Sequence, residues 1–180
     1  MYAKIACTTA SLLALTACAS GMTSAPVFSQ AGLPAAVQVP AGHKVAMETV
    51  GVGQITYECR AKKDMTGHEW VFVGPDAKLM SRSGQVVGSY YGPPATWASN
   101  DGSKVTGTQL AVAPAGAGNI PLQLVQVQSA TGMGVMNGVT YIQRVATRGG
   151  VPPALPCDSS KLGTKQIVDY QADYIFWKPI

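Results

Sequence analysis

The chain has 180 residues, 47% of them hydrophobic and only 12% charged, with a formal net charge of +4 at pH 7. That length suits one domain with a sizeable core. The positive charge is weak and scattered, with no basic run beyond Arg60-Ala61-Lys62-Lys63, so nucleic acid is not expected as a partner.

Residues 1–17 read as a signal peptide that is removed. Lys4 supplies a basic start, residues 5–15 an apolar run, and small residues a cleavage site. The run is too short to cross a bilayer as a helix. Leu15-Thr16-Ala17-Cys18 resembles the bacterial lipobox. That resemblance implies lipidation at Cys18 and a membrane reached through acyl chains. By resemblance to Gram-negative lipoproteins, the non-acidic Ala19 implies the outer membrane. The alternative is ordinary cleavage between residues 17 and 20, releasing a soluble periplasmic or secreted product. Residues 18–39 are rich in Ser, Ala, Gly and Pro and read as a flexible tether. Residues 40–180 then form a single all-β domain.

Extended segments are expected over 43–50, 54–60, 69–73, 77–80 and 85–91. Ile55, Tyr57 and Cys59 alternate with polar residues, which places Cys59 on the core face. Gly74-Pro75-Asp76 is expected to break one strand from the next. Pro93-Pro94 marks a corner, with Trp97 packed beneath it. Asn100-Asp101-Gly102 predicts a tight hairpin turn before a strand over 104–113. The alternation over 120–128 shifts at Val125, as a bulge would require. Residues 139–147 are apolar on both faces and read as a central strand. Tyr170, Ala172, Tyr174 and Phe176 alternate with polar residues in a closing strand over 167–177. No segment beyond the signal has a capped helical period. The chain therefore predicts an all-β fold, an antiparallel sandwich or barrel with long Gly/Pro-rich loops.

Four cysteines are present. Cys7 falls in the signal and Cys18 at the lipobox, leaving Cys59 and Cys157. In an oxidising compartment this pair predicts one disulfide.

A set of motifs resembles the domain of unknown function 3455 family, secreted proteins of bacteria and fungi. They are Gln54-Ile-Thr-Tyr57-Glu-Cys59, Trp70-Val-Phe72 with Gly74-Pro75-Asp76-Ala77-Lys-Leu79, and Gly92-Pro93 with Trp97. Asp101-Gly102-Ser103-Lys-Val105, Ile120-Pro121, Thr140-Tyr-Ile142-Gln143-Arg144 through Gly149-Gly150, Cys157-Asp158 and Ala172-Asp173-Tyr174 complete it. The resemblance spans nearly all of residues 39–177 and implies location and fold class without an activity. A His often precedes Gly-Pro in that pattern; here Ser89-Tyr90-Tyr91 stands there.

Catalytic motifs are absent. His68-Glu69 begins like a zinc-protease helix, but Phe72 occupies the second ligand position. No nucleophile elbow or phosphate-cradling loop occurs. No cofactor and no metal are expected. Two constellations remain. Arg144 lies among apolar neighbours, and Asp169 and Asp173 share one face of the last strand; an ion pair fixing strand register is the leading reading. Aromatics sharing an open face with Arg144 and Asp101, Tyr90 and Trp97 among them, could instead stack on a sugar, a polyphenol or a lipid head group. The leading function is a non-catalytic binding module of the cell envelope, with a small-molecule or glycan ligand and no identifiable protein partner. The alternatives are a carboxylate-dependent hydrolase of envelope or extracellular glycans using Asp101 and Asp173, and a purely structural envelope protein.

Overall fold

A computed structural model describes residues 28–180. The signal, the lipobox and Cys18 lie outside the described residues. Eight strands close into one antiparallel barrel in chain order: β1 (His43–Ala61), β2 (His68–Met80), β3 (Val86–Tyr91), β4 (Thr96–Ser99), β5 (Lys104–Ala113), β6 (Leu122–Thr131), β7 (Tyr141–Gly149) and β8 (Lys165–Pro179). Closure pairs β8 with β1, so each of the eight strands has a neighbour on both sides. Helix among the described residues is limited to two 3₁₀ turns, Ala35–Val37 and Ser159–Lys161.

Two expected breaks are absent, for related reasons. β1 runs unbroken through Gly51-Val52-Gly53. These glycines mark close approach: a Cβ on Gly51 would overlap the Tyr174 ring, and one on Gly53 the Asp76 carbonyl and Ala77. β2 likewise runs through Gly74-Pro75-Asp76, where the register against β1 shifts between Thr56 and Tyr57. The extra residue of that shift is Val73; Pro75 itself stays in register opposite Ile55, just past the last β2–β3 pair, Asp76 with Tyr91.

The barrel interior holds Ile55, Leu79, Tyr90, Trp97, Val125, Ile142, Tyr170, Tyr174 and Phe176, all buried. A second cluster lies outside the barrel wall. Val37 and Val39 pack there against Ala113, Leu124, Val145, Ile175 and Trp177, and Phe28 meets Trp177 edge to face at 6.3 Å. The segment expected to be a tether is thus seated on the barrel from Phe28 onward, and the packed domain begins before residue 40. Its burial explains the two-faced apolar pattern of β6–β8. Leu124 faces outward under the segment while its neighbour Val125 faces inward. The shift at Val125 therefore records two buried faces. A register shift also falls at this point, since Gln109 pairs with Val125 and Ala111 with Leu124, so the expected irregularity is present but its extra residue, Leu110, belongs to β5; a second shift lies between Ser129 and Val127, opposite Thr106 and Gly107.

Gln143 ties the segment down. Fully buried, it donates to the Val37 carbonyl (2.6 Å) and to Gln30 Oε1 (3.0 Å), and accepts from the Trp177 indole N–H (2.9 Å). Gln30 in turn accepts from the Val39 N–H and donates to the Val39 carbonyl. Every polar group of this buried network has a partner, the condition under which such a network stabilises a fold.

The barrel has two distinct ends. At one, the loop after β7 returns to β1 through the Cys59–Cys157 disulfide, which joins residues 98 apart in sequence. The Trp70 indole donates to the Leu155 carbonyl, and Tyr57 to the Gly150 carbonyl. At the other end lie the β2–β3 and β4–β5 turns and the segment between β6 and β7.

Candidate functional site

Alternation along the strands decides which side chains enter the barrel. Arg144 of β7 stands in register between Gln123 of β6 and Tyr174 of β8. Tyr174 is fully buried inside, so Arg144 points inward with it. Asp169 and Asp173 take the outer face of β8. Asp173 pairs there with Arg82 at 2.7 Å, and Asp169 accepts from Gln54. The expected ion pair between Arg144 and these aspartates does not form, because the same alternation places them on opposite faces of the wall.

Arg144 instead helps line a cavity of ≈ 320 Å³ at the disulfide end. Its Nε and Nη2 both donate to the Pro121 carbonyl, at 3.2 and 2.9 Å. This bond, with those from the Thr147 hydroxyl to the Ile120 carbonyl and from the Gly149 N–H to Asn119 Oδ1, moors the β5–β6 loop over β7. Three ion pairs occur among the described residues, and Arg144 takes part in none. It is the one charged residue of the lining; the rest is apolar, aromatic or neutral amide.

Aromatic rings form much of the wall. Tyr90 and Trp97 stack at 4.5 Å, Tyr174 lies 5.1 Å from Tyr90 and 6.0 Å from Trp97, and Phe72 packs edge to face on Tyr57. The Tyr170 and Tyr174 hydroxyls meet at 3.2 Å. Burial raises the phenol pKa values of Tyr57, Tyr90, Tyr170 and Tyr174, and the Arg144 charge draws each back in part. The Trp97 indole N–H is buried without a hydrogen-bond partner, an exception for a folded protein.

Of the residues singled out from the sequence, Arg144, Tyr90 and Trp97 converge here. Asp101 does not. It sits in the β4–β5 turn at the opposite end, accepting from the Ser103 hydroxyl (2.6 Å), the Ser103 N–H (2.9 Å) and the Val135 N–H (2.8 Å). The Ser103 hydroxyl and these backbone donors hold its carboxyl well below the usual range. Its place follows from turn chemistry: Asp folds back on the backbone two residues on. Neither Asp101 nor Asp173 lines the cavity, and each is engaged in structural bonds, so the carboxylate-pair reading gains no support from it. Sequence reasoning missed Gln109 and Gln123, which bond to each other on the rim at 2.7 Å. The register partnership of Gln123 with Arg144 was the only signal for them, and it needs the barrel to be seen.

A larger depression, ≈ 670 Å³, is an open trough on the outer wall lined by Gln54, Asp76, Lys78, Arg148 and Asp169. Its charges of both signs face solvent, and it lacks an enclosed apolar floor. No group of three or more potential metal ligands occurs among the described residues.

The fold and cavity define a closed eight-stranded meander barrel with a ligand-sized mouth, a size class able to hold one small molecule. The chain matches, over residues 40–178, the family model described as "Protein of unknown function (DUF3455)". It belongs to that family. No curated protein and no solved structure matches it.

Proposed function

We propose that this protein is a non-catalytic binding module of the cell envelope that holds a small ligand in the barrel mouth. One observation carries the reading: an aromatic-walled cavity whose single charged residue, Arg144, has no carboxylate partner among the described residues. Apolar enclosure with a few directed polar groups is the usual makeup of a small-molecule site. The absence of any carboxylate, histidine or serine from the lining favours binding over bond cleavage.

The envelope placement rests on residues 1–18 and is supported by the disulfide, a bond kept in oxidising compartments. No helix among the described residues is long and apolar enough to cross a membrane, which agrees with anchoring by lipid at Cys18. Metabolic labelling with a fatty-acid analogue tests this: label lost in Cys18→Ser supports the anchor, and label retained refutes it.

The binding reading is tested by nuclear magnetic resonance with a chemically mixed fragment library. Fragments should shift signals of Tyr57, Tyr90 and Trp97 together. A mouth that stays silent to every fragment refutes the reading.

A further inference from the structure

We infer that the barrel mouth takes a small organic monoanion with a flat aromatic body, its anionic head on Arg144. The inference rests on the mouth being a binding cavity and names its occupant.

Charge is the first argument. Arg144 is the one charged side chain of the lining. A cationic or zwitterionic ligand would bring a positive group to a wall with no carboxylate. A phosphate monoester carries nearly two negative charges at neutral pH, and one guanidinium offsets only one. A single negative charge matches what the site supplies.

Donor geometry is the second. A guanidinium presents five N–H donors in a rigid planar fork. Nε and one N–H of Nη2 are spent on the Pro121 carbonyl. That bond occupies the side edge of the fork and fixes its orientation. The end edge, Nη1 with the second N–H of Nη2, has no protein acceptor among the described residues. Two parallel donors held in place are what a carboxylate takes up bidentately.

The wall supplies the third. Tyr57, Phe72, Tyr90 and Trp97 are rings, which favours a flat ring in the occupant. A neutral sugar would need many matched polar groups. The neutral polar side chains of the lining beyond the tyrosines are Gln109 and Gln123, and they are bonded to each other.

The test is isothermal titration of the folded protein with four probes: cinnamate, its neutral isostere cinnamyl alcohol, the aliphatic monoanion hexanoate, and cellobiose. Cinnamate should bind about tenfold or more tightly than each of the others, the scale of one charge-assisted bidentate contact or one ring contact. Arg144→Met should remove that advantage over the alcohol. Because Arg144 also moors the β5–β6 loop, its variant could unfold; Gln123→Glu then provides the answer. It keeps Arg144 and sets a carboxylate beside it in register, and should likewise cut cinnamate affinity about tenfold while leaving the alcohol within about threefold. Equal binding of cinnamate and the alcohol, a cinnamate preference that survives Gln123→Glu, or tighter binding of hexanoate or cellobiose overturns the inference. So does failure of all four probes. In each of these cases the mouth still stands as a binding site if the mixed fragments shift Tyr57, Tyr90 and Trp97, and falls only if they do not.

Discussion

Gln143→Ala should detach the amino-terminal segment and cost stability far beyond an ordinary polar substitution. The side chain is fully buried and serves three partners. Gln30 Oε1 keeps the Val39 N–H when Gln143 is gone. The Trp177 indole N–H and the Val37 carbonyl keep nothing, since no other side-chain bond to them is present among the described residues. At about 1–3 kcal/mol for each buried group left unpaired, the loss is about 2–6 kcal/mol. For a chain of this size that corresponds to a fall in Tm of roughly 5–20 °C. Thermal and urea denaturation measure it. Limited proteolysis supplies the local readout, because cleavage near residues 31–34 should appear once the segment lifts. Gln109→Ala is the control: it breaks one exposed amide bond and should cost about 0.5 kcal/mol or less. A Gln143→Ala protein that melts within about 2 °C of the parent, with residues 28–39 still protected, would refute the reasoning.

Three further outcomes follow from the same geometry. Cys157→Ala opens a loop of 98 residues and should cost about 4–5 kcal/mol in the chain-entropy model; hydrogen exchange should loosen the start of β8 more than residues 92–107, and two alkylatable thiols in unreduced wild-type protein would disprove the bond. Asp101→Asn should destabilise at neutral pH by weakening the carboxylate's hold on Ser103 and Val135. The folded carboxyl is depressed, so its contribution is complete above the ordinary carboxylate pKa of about 3.9 and is lost as pH falls through the folded value. The gap in Tm between variant and parent should therefore shrink in acid, and a gap independent of pH contradicts the assignment. The buried phenols of Tyr57, Tyr90, Tyr170 and Tyr174 are raised by burial. They ionise in the unfolded chain near pH 10 but resist in the fold, so stability should decline as pH rises beyond about 10. An ultraviolet titration in which every phenol ionises without unfolding would count against this.

Locally encoded features were legible in the chain itself. The Asp101-Gly102 turn follows from backbone chemistry confined to four residues. The inward set Ile55, Tyr57 and Cys59 follows from period-2 alternation, and so does the set from Tyr170 to Phe176. The Cys59–Cys157 pairing follows from counting, once two other cysteines are assigned to the leader. Such signals act over a few residues and survive without knowledge of any neighbour.

Tertiary structure decided the rest, because register is a relation between strands. Glycines 51 and 53 look like breaks until Tyr174 and Ala77 are seen pressed against them. Two-sided burial of β6–β8 has no visible cause until residues 28–39 cover the outer face. Arg144 looks like the partner of Asp169 and Asp173 until alternation on β7 and β8 sends it inward and them outward. By itself the sequence determined that this chain would be all-β, stapled once and turned sharply at Asp101-Gly102. Only closure of β8 onto β1 could enclose Arg144 among tyrosines and place Asp101 at the other end, since a one-residue difference in register moves a side chain from one face of the wall to the other.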